Sequence, residues 1–78
     1  MSDDISSSTA ARMITPSDTE TFPAGRGLYV GVSGDVTYED LAGNEITKVG
    51  MAAGVTHPMQ CVRVLATGTT ATDLVVEY

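Results

Sequence analysis

The last twenty residues of the chain contain two apolar, β-branched runs that are separated by a short link rich in threonine. The first run covers residues 59–66, the second covers residues 74–78, and the link covers residues 67–72. Two such runs joined by a short connection that contains glycine predict a β-hairpin. Because nearly every position of the first run is apolar, we expect both of its faces to be buried, by a second sheet or by a neighbouring subunit.

The preceding part of the chain alternates with the two-residue period of β-strands. Residues 27–33 and 35–40 both alternate, and the glycine turn between them predicts a second hairpin. Residues 45–51 read as a half-solvated strand, and shorter strands are expected around Met13 and Val55. Turn signals recur about every ten residues, and no window has a helical period. The sequence therefore predicts an all-β class: a small antiparallel β-sandwich or barrel of about five to seven short strands.

Domain organisation follows from composition. Residues 1–11 are small, polar and acidic, which predicts a flexible N-terminal arm, and residues 12–78 form a single small β domain. Ile5 is the only large apolar side chain of the arm after Met1, so it is a candidate anchor on a partner. Neither a signal peptide nor a membrane-spanning run is present, so we expect a soluble protein made in a cytoplasm, where Cys61 stays reduced.

The small size of the domain predicts that it works in an assembly. A domain of 78 residues buries only roughly 60–65% of the surface of its unfolded chain. Small folds usually add disulfides, a metal or oligomerisation. Cys61 is the only cysteine and His57 the only histidine, so a disulfide and the usual zinc site are excluded within one chain. We therefore expect a homo-oligomer, or docking on a larger surface, without a metal or a cofactor.

The charge balance narrows the class of partner. Ten acidic residues against four basic ones give a net charge of −6 and a pI near 4.2. Nucleic acids and anionic membranes both reward clusters of Lys and Arg. We therefore expect neither a nucleic acid nor a membrane as partner.

No residue pattern supports catalysis. His57 lies in a loop and Cys61 in an apolar strand, where a small buried hydrophobe is the simplest interpretation of a lone cysteine. The glycines at 25–27 precede a strand and open no helix, so they indicate a turn and not a phosphate-binding loop. The acidic residues are interpreted as solvated loop charges. Tyr29 lies opposite the buried face of its strand, which suits either a subunit interface or packing at the edge of the core.

Several segments, taken in order, carry a family resemblance. They are residues 14–19, 26–31, 34–36, 53–54 and 63–72, followed by Tyr78. The most specific of them is the run Arg-Val-Leu-Ala-Thr-Gly-Thr-Thr-Ala-Thr at 63–72. Together they resemble the head-spike base family of small virion proteins, known from tailed phages and gene transfer agents. The resemblance covers the chain from about Met13 to its last residue.

The resemblance implies a virion structural protein without enzymatic activity. It implies a β-rich subunit on the exterior of a tailed-phage-type capsid, made in the cytoplasm of a bacterial host. The expected partners are the major capsid protein, a spike or fibre protein, and further copies of the chain in a pentameric ring at a vertex. Five residues are assigned to partner contacts, namely Ile5, Arg12, Met13, Tyr29 and Tyr38.

Two other functions stay open at this point. Within the same class, the protein is a decoration (cement) protein that binds between capsomers. From a different class, it is a receptor- or glycan-binding module of a fibre. The scarcity of aromatic residues, with one Phe, three Tyr and no Trp, weighs against the glycan-binding reading.

Overall fold

A computed structural model describes residues 10–78 of the chain. Seven strands are present in this part, and they form two antiparallel sheets that pack as a sandwich. The strands are β1 (Ala11–Ile14), β2 (Gly27–Val32), β3 (Gly34–Asp40), β4 (Glu45–Met51), β5 (Val55–Pro58), β6 (Cys61–Val64) and β7 (Thr72–Glu77). Sheet A has the order β1-β7-β2-β5 and sheet B the order β4-β3-β6. The all-β prediction is confirmed. Among residues 10–78, no helix has the length and apolar character to cross a membrane.

The core lies between the two sheets and is supplied by alternate residues of the central strands. Leu28 and Val30 of β2 are fully buried, as are Leu74 and Val76 of β7. These pairs point the same way because residues two apart in a strand share a face. Burying a side chain of this kind contributes about 1.5–3 kcal/mol. Phe22 packs against this cluster from the loop after β1.

The predicted C-terminal hairpin is wrong. β6 pairs with β3 in sheet B, whereas β7 pairs with β1 and β2 in sheet A. The link between them continues along β3: the backbone N–H groups of Leu65 and Thr70 donate to the carbonyl oxygens of Thr37 and Asp35. Because these backbone N–H groups are hydrogen-bonded to β3, the link stays beside sheet B, and the chain then crosses to sheet A at β7.

The second predicted hairpin also divides between the sheets. β2 belongs to sheet A and β3 to sheet B, with only Ser33 between them. Among residues 10–78, the two consecutive strands that pair as a hairpin are instead β3 and β4, and the turn between them covers residues 41–44. There the N–H of Asp40 donates to the carbonyl oxygen of Asn44 at 2.9 Å.

The N-terminal boundary is only partly covered by the described residues. β1 begins at Ala11 and is an edge strand that pairs with β7. The predicted arm, with its anchor Ile5, falls almost entirely on residues 1–9, which lie outside the described residues. The division into an arm and a domain stays a prediction.

Candidate interaction surface

The outer face of sheet A carries an apolar row that crosses its strands. Met13, Val75, Tyr29 and Thr56 are successive Cα partners on β1, β7, β2 and β5. They point away from the core because their neighbours along β2 and β7 point into it. Met13 is 76% exposed, and Tyr29 and Val75 are half-buried. We call Met13, Val75 and Tyr29 the apolar row.

The outer face of sheet B is mainly polar, and most of its polar groups pair with one another, although Arg63 Nε has no partner among residues 10–78 and Val49 is 78% exposed. The hydroxyls of Thr37 and Thr47 lie 2.8 Å apart across β3 and β4. Arg63 Nη2 lies 3.0 Å from Glu39 Oε1 and 3.3 Å from Glu45 Oε2. A face whose charges are already paired offers less to a partner than an apolar one. The apolar row is therefore the candidate interaction surface of the sandwich.

Two aspartates, which the sequence predicted to be solvated loop charges, accept hydrogen bonds that stabilise loops. Asp40 accepts hydrogen bonds from the backbone N–H groups of Ala42 and Asn44, each at 2.9 Å. Asp18 accepts from the N–H and the hydroxyl of Thr67. Hydrogen bonds to the charged form lower a carboxyl pKa. The Asn44 N–H lowers the pKa of Asp40, and the Thr67 N–H lowers that of Asp18.

Metal-ligating side chains are not clustered in the described part of the chain. No group of three or more His, Cys, Asp or Glu side chains there is placed to hold a metal ion. Cys61 is 1% exposed, and burial raises the pKa of its thiol to about 11. His57 Nε2 lies 2.9 Å from the carbonyl oxygen of Ala52. The thiol is therefore protonated at neutral pH and closed to substrates.

The residues predicted to bind partners separate into three groups. Met13 and Tyr29 lie on the apolar row, whereas Arg12 is exposed on β1 but alternation places it on the opposite face from Met13. Tyr38 is 6% exposed and belongs to the core, so the assignment of its ring to a neighbouring subunit needs correction. Alternation places Tyr38 on the same face as Val36, and that face turns inward. Ile5 lies outside the described residues.

Val75 is the member of the apolar row that sequence reasoning missed. The sequence predicts its run, residues 74–78, only as the second strand of a hairpin and does not separate the two faces of that strand. Alternation with the buried Leu74 and Val76 is the signal that places Val75 on the opposite face.

No family model and no curated protein matches the chain. Among solved structures, one chain comes from a structure described as "Capsid of native GTA particle computed with C5 symmetry", where GTA stands for gene transfer agent. It is 38% identical to this chain with a TM-score of 0.81, and the match covers 91% of this chain and 83% of that one. This chain therefore belongs to the same family as that capsid-particle protein and is a virion structural protein of the phage and gene transfer agent type.

Proposed function

We propose that the protein forms a ring of five copies on the exterior of a capsid vertex, where it is the base that holds a head spike or fibre. The observation that carries this proposal is the 38% identity, over 91% of the chain, with a chain of a particle computed with C5 symmetry. Five identical subunits around one axis are the closed arrangement that matches such symmetry. The proposed role is architectural and involves no catalysis.

The apolar row is proposed to contact the major capsid protein. Met and Tyr are enriched in protein interfaces, and the row leaves Met13 largely exposed in the isolated subunit. β1, which contributes Met13, directly follows the N-terminal segment that holds Ile5, the candidate anchor on a partner. A single face of the sandwich would then carry both contacts. Sheet B would face away from the shell, toward the spike or fibre.

Binding to capsids that lack this protein tests the proposal. The double variant Met13→Thr/Tyr29→Thr places β-branched residues, which suit strands, at both positions but removes most of the apolar area of the row. We expect at least about a tenfold loss of affinity, since each large buried side chain contributes about 1.5–3 kcal/mol. Leu41→Thr is the matched control, because Leu41 is 61% exposed in the β3–β4 turn. Equal binding by the double variant and the control would contradict the assignment of this face.

Copy number on the particle tests the ring. Quantitative mass spectrometry of purified particles should find one ring of subunits per occupied vertex. Copies spread over the whole shell would instead favour a decoration protein that binds between capsomers. Native mass spectrometry of the isolated protein gives the size of the ring directly.

A further inference from the structure

β4 has an edge whose backbone groups have no partner in the described part of the chain. It is seven residues long and pairs on one side only, with β3. Hydrogen-bonded and non-bonded pairs alternate in an antiparallel ladder. Asp40 is bonded to Asn44, so the backbone groups of Glu45 and Thr47 point away from β3. An edge strand of this length is a template for another strand.

The other three edges differ from that of β4. The edge of β6 is covered, since the N–H groups of Ser17 and Phe22 donate to the carbonyl oxygens of Val64 and Val62 at 2.8 Å. β5 has four residues and ends in a proline, which has no N–H to offer. β1 also has four residues, and its outer edge is open among residues 10–78.

The two open edges that contain no proline, those of β4 and β1, lie on opposite sides of the sandwich. The segment after β1 reaches across to β6, so β1 and β6 share one side. β4 leads into β5 through residues 52–54, and His57 Nε2 contacts the carbonyl oxygen of Ala52, so β4 and β5 share the other side. The open edges therefore belong to different sheets and face in opposite directions.

The strands at the two open edges run in the same direction. β3 begins where β2 ends, at Gly34. β3 ends at Asp40, which pairs with Cys61, and the N–H of nearby Met59 donates to the carbonyl oxygen of Arg26 at the start of β2. β3 therefore runs opposite to β2. Antiparallel pairing makes β4 opposite to β3 and β1 parallel to β2, so β4 and β1 are parallel.

We propose that β4 of each subunit pairs in parallel with β1 of the next copy, so that sheet B of one subunit continues into sheet A of its neighbour. This contact presupposes the ring under Proposed function and supplies its closing interface. A contact between two different patches closes a ring, whereas a patch that pairs with itself gives a two-fold dimer. Because the sheets of a sandwich lie about 10 Å apart, successive subunits overlap like tiles.

Charge complementarity favours this occupant over an unrelated strand. Arg12 lies near the start of β1 and Glu45 at the start of β4, so parallel alignment brings opposite charges to the same end of the interface. Arg12 forms no ion pair among residues 10–78. Glu45 Oε2 is already paired with Arg63, but the side chain is 55% exposed and its second oxygen, Oε1, has no hydrogen bond or ion pair among residues 10–78. Each subunit therefore presents a carboxylate on one side and a guanidinium on the other.

Cross-linking between single-cysteine variants tests the pairing. Thr47→Cys is mixed with Arg12→Cys, the assembly is re-formed, and a short bis-maleimide is added. The natural Cys61 is buried and does not react under these conditions. We expect a covalent dimer from the mixture and none from either variant alone, and the double variant should give a ladder that ends at the size of the ring. Thr56→Cys on the β5 edge replaces Arg12→Cys in the matched control, which should give no dimer.

Each other outcome overturns a separate part of the model of assembly. If wild-type protein is monomeric in native mass spectrometry and on particles, the proposed ring fails, and the edge pairing fails with it. If a ring is present but the mixture does not cross-link, the edge pairing is wrong while the ring stands. If Thr47→Cys alone gives a covalent dimer, β4 pairs with itself and the head-to-tail contact is overturned.

Discussion

Gly31 lies so close to Asp73 that a Cβ on Gly31 would stand 2.6 Å from the Cβ of Asp73 and 2.8 Å from its carbonyl oxygen. Asp73 has a φ of 57°, and it is the non-glycine residue with positive φ in the described chain. This contact joins β2 to β7 in the middle of sheet A. Gly31 therefore provides the space for an irregular backbone turn in β7.

We expect Gly31→Ala to destabilise the fold by about 2–4 kcal/mol, because the added methyl has to displace backbone. Chemical denaturation monitored by circular dichroism measures the change. Gly43→Ala is the comparison: unlike Gly31, Gly43 has a positive φ, of 87°, but its nearest contact is 3.9 Å away, so only about 1 kcal/mol of backbone strain is expected. A loss for Gly31→Ala no larger than that for Gly43→Ala would contradict the steric role of Gly31.

Replacement of Arg63 is expected to destabilise sheet B by about 1–3 kcal/mol. Glu39 and Glu45 are Cα partners, and Arg63 lies between their carboxylates. Arg63→Met keeps the aliphatic stem but leaves two like charges opposed across β3 and β4. Adding Glu39→Gln to this variant should restore part of the loss, because one of the charges is removed. An additive double-mutant cycle in thermal unfolding would contradict the proposed coupling.

Acid sensitivity is expected from Asp18, whose carboxylate holds Thr67 through two hydrogen bonds. Its pKa is lowered below the ordinary 3.8, first by the Thr67 N–H. A lowered folded pKa adds stability above the unfolded pKa, and that stability is lost as the pH falls through the folded pKa. Asp18→Asn should therefore flatten the decline of the melting temperature below about pH 4. Glu20→Gln, which removes an exposed carboxylate of the same loop, should leave the decline unchanged.

The thiol of Cys61 is expected to be inert in the folded protein. Burial raises its pKa to about 11, so at pH 8 the thiolate fraction alone slows its reaction with a disulfide reagent on the order of 100-fold relative to an exposed cysteine. Val49→Cys supplies the comparison within the same chain, since Val49 is 78% exposed. Denaturant should equalise the two rates. A fast reaction of Cys61 in the native protein would mean that β6 opens readily.

The fold class could be predicted because alternation is a local property. Leu28 and Val30 share a face for the same geometric reason in any strand, and their burial follows once a second layer covers them. Two of the residues predicted to bind a partner, Met13 and Tyr29, lie together on the apolar row, which a single sequence places only on separate strands. The family resemblance indicated a virion protein before any strand pairing was known.

Only the tertiary structure decided which strands pair and which face of each strand is buried. The sequence by itself determined that residues 59–66 and 74–78 are extended and rich in apolar side chains, but extended neighbours can share a sheet or cross between sheets. The crossing depends on hydrogen bonds from backbone N–H groups that follow β6 to carbonyl oxygens of β3. These groups belong to residues about thirty positions apart in the chain. Tyr38 has the same alternation whether its face is covered by sheet A or by a neighbour, and the packing of the two sheets places it in the core. Local geometry follows from the order of residues, whereas the choice of partner depends on which distant groups are brought together.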